Sequence, residues 1–484
     1  MQKNVIFTII FFGVLIALIY IYPAQMGVKV GSGAHETMET KVSKTETPKS
    51  TPLEADISGL LSDLYPDDGP GVSALLYKGD EVLYSGGQGL ANIEHNIAIG
   101  SETVFRIGSI TKQFTSAGIM LLNEEGKLEI DDPITKFFPD YPMNGHIITV
   151  RHLLTHTSGI KSYTSMENFM DVVKDDMTVE EMIDHFKNEP MDFAPGEKYL
   201  YNNSGYFMLG AIIEHLSGQT YEDFIEGRIF TPLGMEASYY GNFNKIIPNR
   251  ATGYGMDDTG LINSNYMSMS LPYAAGSLIS TVGDLMKWNR ALFSGAVVAE
   301  ASLVQMITPF TLNDGEISNY GFGLGIRTFK GQPMITHSGG IPGFITNGAY
   351  LPESDMYVTV LGNTGFQSRG YESNKMLALA LGDPYPEVTP ISVEGSILEK
   401  YVGTYASDAG LSFSVSLAGE DLALSMNDGD AANLIAVSNT TFYMKNSFVH
   451  FAFTESEAGD AALTFYQDDE GGEGMLANLT KGEE

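Results

Sequence analysis

The sequence predicts an α/β protein in which an antiparallel sheet is flanked by helices, interrupted by a mainly helical insertion and followed by a small all-β barrel. Three patterns carry this expectation. Strand-like runs lie at both ends of the region before Pro384, helical and loop stretches fill its middle, and short alternating runs take over after the proline-rich stretch Pro384 to Pro390, PYPEVTP.

The chain has 484 residues, enough for two or three domains with full cores, and a formal net charge of −33. Such acidity argues against a nucleic-acid partner, since a phosphate backbone needs a basic surface. With no cysteine there is neither a disulfide framework nor a thiolate site. Residues Val5 to Tyr22 are almost wholly apolar, so residues 1–24 read as a signal peptide or membrane anchor, and Tyr22 makes Pro23-Ala24-Gln25 a poor cleavage site. The polar stretch GSGAHETMETKVSKTETPKSTPLEA places a flexible linker at 25–54. The remainder is therefore expected on the periplasmic or extracellular side of a membrane, anchored or secreted.

Gly71 to Tyr84 reads as two strands around Lys78-Gly79-Asp80, a hairpin signal. Further strands are expected at Tyr320 to Arg327, Pro333 to His337, Ile345 to Leu351 and Met356 to Leu361, with a helix at Asn374 to Leu381 packed on the sheet they form. Residues 55–388 thus make one domain whose sheet draws on both of its ends, which places a cleft at the junction with the helical insertion. From Ile391 to Glu484 there are sixteen acidic and three basic residues, net −13, and no good helix pattern. Seven runs, at 401–405, 411–417, 422–426, 441–444, 448–453, 462–467 and 475–479, predict an antiparallel barrel over 395–484.

The chemistry centres on Ser109-Ile110-Thr111-Lys112. A serine and a lysine three apart on the first turn of a helix share a face, so the amine reaches the hydroxyl. A lysine whose pKa is lowered by burial can take the serine proton, and the helix N-terminus favours negative charge forming beside Ser109. Ser158-Gly159-Ile160-Lys161 repeats the spacing, but it lies in an aromatic and polar stretch without helical periodicity. Ser109 instead opens an apolar run through Ile110, Phe114, Ala117, Ile119, Met120 and Leu122.

Tyr201-Asn202-Asn203 leads into an apolar helix at Gly205 to Leu216. A tyrosine beside a lysine can have its pKa lowered enough to shuttle protons, and an asparagine amide can orient the lysine and bind a substrate carbonyl. His337-Ser338-Gly339-Gly340 stands at a strand end where glycines let a substrate backbone approach, and the Gly340 N–H can join that of Ser109 in an oxyanion hole. His152 and His156 have helical metal spacing, but Leu153 stands where a zinc-protease helix carries glutamate, so they are expected to hydrogen-bond the loop under the cleft.

In order and spacing, Ser109-x-x-Lys112, Tyr201-x-Asn203 and His337-Ser338-Gly339 resemble the three signature elements of the serine β-lactamase-related family. This family includes class C β-lactamases, penicillin-recognising D,D-peptidases, D-aminopeptidases and carboxylesterases. FRIGSITKQFT, LLTHTSGI, AAGSLISTVGDLMKW and HSGGIPGF extend the resemblance over about residues 55–385, and the tail resembles the lipocalin-like barrel some of these hydrolases carry. The resemblance implies a β-lactamase/transpeptidase-like fold and a serine hydrolase with catalytic Ser109, Lys112 and Tyr201. It assigns Asn203, His337, Ser338, Gly339 and Gly340 to the substrate and oxyanion, and it requires no metal or organic cofactor. The family's lactamases and D,D-peptidases usually have lysine where His337 stands, a cation that helps hold a substrate carboxylate. A histidine is mostly neutral near pH 7 and becomes a cation only on acidification.

The expected function is exported hydrolysis of an ester or amide bond in a small-molecule or peptide-like substrate, through an acyl-enzyme on Ser109. The alternatives are a β-lactamase or D,D-carboxypeptidase and, in another class, a catalytically inactive penicillin-binding-like interaction protein.

Overall fold

The computed structural model describes residues 51–365, 368–406, 412–427, 429, 431–455, 461–467 and 474–481. The apolar segment 5–22 and the polar linker up to residue 50 lie outside the described residues. Among the described residues no helix is long and apolar enough to cross a membrane.

The first described element is helix α1, Pro52–Leu64, which starts slightly inside the expected linker. Thr51 caps it by accepting from the Glu54 N–H, and proline stands at its first turn, where no N–H is needed. The expected hairpin follows as β1, Val72–Lys78, and β2, Glu81–Gln88. The late strands are β3, Gly325–Phe329, β4, Gln332–Ile341, β5, Phe344–Leu351, and β6, Met356–Gly362. They complete a six-stranded sheet of order β3-β4-β5-β6-β1-β2, antiparallel throughout.

Two strand limits depart from expectation. β3 starts five residues after Tyr320, because Gly321 to Leu324 turn on themselves through a Gly323 with φ +71° and a Gly321 N–H bonded to the Leu324 carbonyl. β4 does not stop at His337; Gly339 and Gly340 stay in the ladder opposite Thr346 and Ile345. Side-chain alternation divides the core. Val72, Ala74 and Leu76 of β1 pack with Ile57 and Leu61 of α1 on one face. Leu75 and Tyr77 face the helical insertion on the other.

On that second face α2, Thr111–Glu124, is buried on nearly every side, with Phe114 stacked 4.1 Å from Trp288 of Val282–Phe293. Beside it runs α3, Asn203–Ser217, which ends at Gly218 in the left-handed conformation that terminates helices readily. The helix expected at 374–381 begins four residues earlier, as α4, Gly370–Leu381, and joins α1 on the outer face.

The C-terminal domain is a closed barrel of eight strands rather than seven: β7, Gly403–Ala406; β8, Ser412–Ala418; β9, Asp421–Met426; β10, Ala432–Ala436; β11, Thr441–Met444; β12, Val449–Glu455; β13, Ala461–Gln467; and β14, Gly474–Lys481. The unexpected strand, β10, is five residues long and turns only Leu434 and Ala436 into the core, too little alternation to stand out from a turn. A helix at Gly395–Tyr401 was also not expected. It sends Leu398 and Tyr401 into the barrel, where Tyr401 stacks 4.2 Å from Phe453. Phe448 joins the domains, 4.3 Å from Tyr385 and 4.8 Å from Tyr371 between ring centroids.

Because Ile57 and Leu61 are core residues and Thr51 is the cap, a chain beginning at Thr51 is expected to be soluble and folded. One beginning after Leu64 is expected to lose a degree of thermal stability that calorimetry reads easily, since two fully buried aliphatic side chains contribute roughly 3–6 kcal/mol. An insoluble chain from Thr51 would make the preceding residues part of the fold.

Candidate active site

Ser109 sits in a single turn, Gly108–Ile110, that leads directly into α2. Gly108 has φ +51°, and a Cβ there would lie 2.9 Å from the Gly340 nitrogen. A Cβ on Gly339 would lie 2.0 Å from the Ile107 carbonyl oxygen. Gly108 and Gly339 therefore let the serine turn lie directly on β4, which brings the Gly340 amide beside this turn. Thr346 holds the approach from the next strand by donating to the Ile107 carbonyl at 3.0 Å.

One turn further on, Lys112 is fully buried. Its Nζ lies 3.1 Å from Ser109 Oγ, 2.9 Å from Asn203 Oδ1 and 2.8 Å from the Ala275 carbonyl. Burial alone holds its pKa well below the ordinary lysine range. A neutral amine has two hydrogens and one lone pair. In that form Asn203 Oδ1 and the Ala275 carbonyl accept the two hydrogens and the lone pair is free to take the Ser109 proton; in the protonated form the ammonium donates to all three oxygens. Thr164 fixes this sense of the amide by accepting from Asn203 Nδ2 at 3.1 Å.

Asn203 opens α3, and Asn202 before it is the cap that accepts from the Gly205 N–H. His156 secures this corner: its Nδ1 accepts from the Asn202 N–H at 3.0 Å, and its ring lies 4.2 Å from that of Tyr201. Burial first, then the nearby Lys112 and His337, keep His156 well below its usual pKa. His152 instead belongs to the capping box of Val150–Leu154, its Nδ1 accepting from the Thr149 N–H. His156 thus takes the expected role of supporting the loop beside Tyr201, whereas His152 caps its own helix.

Tyr201 reaches the same point as Lys112, whose Nζ lies 4.7 Å from its ring centroid. The direction of its titration is the reverse of expectation. Burial raises its pKa well above the usual value, and a hydrogen bond with Ser109 only partly opposes this. Burial comes first among the causes, and the neighbouring Tyr199, Tyr206 and Tyr163 add to it, so a phenolate is disfavoured there. Tyr201 is a phenol that can pass a proton on, not a standing base.

His337 also departs from expectation. Its Nδ1–H donates to the Ser338 carbonyl at 2.6 Å, so its Nε2 accepts from the Tyr320 hydroxyl at 2.8 Å. Burial, followed by the charge of Lys112, lowers its pKa to about 3. The ring is a neutral strut 6.2 Å from Tyr201, and the cation expected on mild acidification does not form. Tyr320, which fixes it, carries no sequence signal beyond an aromatic near a glycine-rich turn.

Ser338 is exposed, and Gly339 and Gly340 follow it along an edge of β4 left open because β3 pairs only as far as Thr336. The second Ser-x-x-Lys is dismantled: the Ser158 hydroxyl accepts from the Ile160 N–H, while Lys161 pairs with Asp192 at 3.0 Å.

Residues 64–382 match the family described as Beta-lactamase. A penicillin-binding protein of Bacillus subtilis is 30% identical over 427 residues, covering 82% of this chain and 92% of the relative. Among solved structures, an octameric penicillin-binding protein homologue from Pyrococcus abyssi is 31% identical with a TM-score of 0.64, covering 89% of this chain and 99% of that one. A D-amino acid amidase from Ochrobactrum anthropi is 29% identical with a TM-score of 0.60, covering 69% and 99%.

Proposed function

Because the chain belongs to the β-lactamase family of serine hydrolases, we propose that it is an exported enzyme that cleaves an ester or amide bond through an acyl-enzyme on Ser109. The observation that carries this reading is the buried Lys112 amine, held 3.1 Å from Ser109 Oγ by bonds to Asn203 Oδ1 and the Ala275 carbonyl. Ser109 Oγ attacks the carbonyl carbon while its proton passes to Lys112 Nζ. The oxyanion is held by the Ser109 and Gly340 N–H groups. The Tyr201 phenol relays a proton to the departing nitrogen or oxygen, and water then repeats the sequence in reverse.

A peptide-like acyl portion fits the open edge of β4 by strand addition at Ser338 to Gly340, with the Asn203 amide beside it. The neutral His337 supplies no charge for a carboxylate on the leaving group. This favours esters or amides with uncharged leaving groups over β-lactams and D,D-peptides, and the D-amino acid amidase among the similar structures accords with that preference. Export rests on the apolar segment 5–22.

The test is labelling by a fluorophosphonate, with mass analysis placing the adduct on Ser109, followed by a panel of short-chain esters, D-amino-acid amides and a chromogenic cephalosporin. Absence of a serine adduct on folded protein would leave only a binding role.

His337 supplies a pH test. Between pH 5 and 8 the ratio of kcat/KM for an ester with a carboxylate on its leaving group to that for its neutral isostere is expected to stay flat, since the ring gains its proton only near pH 3. A severalfold rise in that ratio below pH 6.5 would mean that the ring is solvated and faces the leaving group.

A further inference from the structure

Outside the acyl-transfer machinery two arginines stand together without an acid. Arg106 ends the short strand that leads through Ile107 and Gly108 to Ser109. Its guanidinium carbon lies 5.0 Å from the ring centroid of Phe243 and 5.8 Å from that of Phe344. Arg250 lies 5.9 Å from the same Phe243 ring. Among the described residues neither guanidinium has a hydrogen-bond or ion-pair partner. In a chain with 60 acidic residues against 27 lysines and arginines, two adjacent cations left unpaired need a reason. Burial and the charge of Arg250 lower the Arg106 pKa to about 10, which keeps it cationic near neutrality.

Their position adds a second constraint. Ser109 is three positions after Arg106, so their Cα atoms are at most about 11 Å apart. Phe344 opens β5 immediately after the turn that follows Gly340, and a Cβ on Gly253 would meet its ring at 2.6 Å. Phe243 and Tyr266 pack 4.9 Å apart and are 45% and 46% exposed, giving the arginines an aromatic, open rim. This lies beyond the oxyanion amide, at the end of β4 opposite His337.

We propose that Arg106 and Arg250 form an anion subsite that receives a carboxylate carried on the acyl portion of the substrate. The proposal rests on the Ser109 acyl-enzyme reading for the word acyl, because His337 then borders the leaving group and the arginines the other side. Guanidinium groups already stacked on aromatic faces are preorganised for a planar carboxylate, and a bound anion relieves the repulsion between them.

The probes are p-nitrophenyl hydrogen glutarate and its neutral methyl ester. At low salt the wild-type kcat/KM is expected to favour the acid about five- to tenfold. The preference should shrink with added salt, fall towards one in Arg250→Gln and persist in Arg250→Lys. Arg250 is exposed, so its variants test the subsite even if Arg106→Gln fails to fold. Binding is read separately, by calorimetry of glutaryl-4-nitroanilide and its methyl ester on Ser109→Ala. The acid should bind more tightly, and Arg250→Gln in that background should remove the difference. Equal turnover of the two esters by wild type, a preference unchanged by Arg250→Gln, or no charge-dependent binding at millimolar ligand overturns the subsite. Charge-dependent binding lost in Arg250→Gln, in a protein that turns over neither ester, would uphold the anion site and sink the acyl-enzyme reading instead.

Discussion

Ser109→Ala is expected to lower kcat/KM for every substrate by roughly 10³-fold or more, whereas Ser158→Ala should leave it within a few-fold. The two serines share a motif and differ in what their lysines do. Lys112 has only neutral oxygens around its nitrogen and is held next to Ser109 Oγ, while Lys161 is tied to Asp192 and the Ser158 hydroxyl to a backbone N–H. Steady-state rates on one activated ester, with circular dichroism to confirm folding, decide the matter. Comparable losses in both folded variants would remove Ser109 from the centre of the mechanism.

Loss of the base should be nearly as severe, and arginine should not rescue it. Lys112→Ala removes the proton acceptor, and Lys112→Arg replaces it with a group that stays protonated, so both are expected to fall by roughly 10³-fold. The pH dependence fixes the sign. Burial lowers the Lys112 pKa well below 10.5, so the reactive free amine predominates once pH exceeds that lowered value, and activity falls as pH drops through it. In wild type, log kcat/KM should therefore rise with pH along an acid limb and level off below the ordinary lysine range. Residual activity in Lys112→Ala should lack that limb. An acid limb that persists in Lys112→Ala would assign the base elsewhere.

Much of this site was legible because its parts are local in sequence. A serine and a lysine one helical turn apart must share a face, and the apolar run behind them had to be a buried helix. The sheet was legible for a similar reason, since β1 and β6 are short apolar runs and Lys78-Gly79-Asp80 marks the turn between β1 and β2. Electrostatics was not legible, because it depends on what covers a group. The sequence offers Tyr201 beside a lysine and His337 beside glycines. Only the fold shows that burial drives the tyrosine up and the histidine down, with Tyr320 covering the histidine ring. Gly339 and Gly340 looked like a strand end because glycine is poor in strands, yet the strand runs through both, and the close approach of Ile107 requires the first of them. The helix at Gly395–Tyr401 and β10 were too short for their periodicity to register.

The order of the sheet also sets a timetable. β1 pairs with β6 across roughly 280 residues of chain, and the Gly340 amide is supplied by a strand made roughly 230 residues after Ser109. Such long-range pairing folds slowly, and until β6 arrives the N-terminal hairpin shows an unpaired edge to its surroundings. A chain emerging from its N-terminus would therefore hold Ser109 and Lys112 early but gain the Gly340 amide only when the sheet closes. Under the proposed mechanism, latency during synthesis is thus written into the strand order.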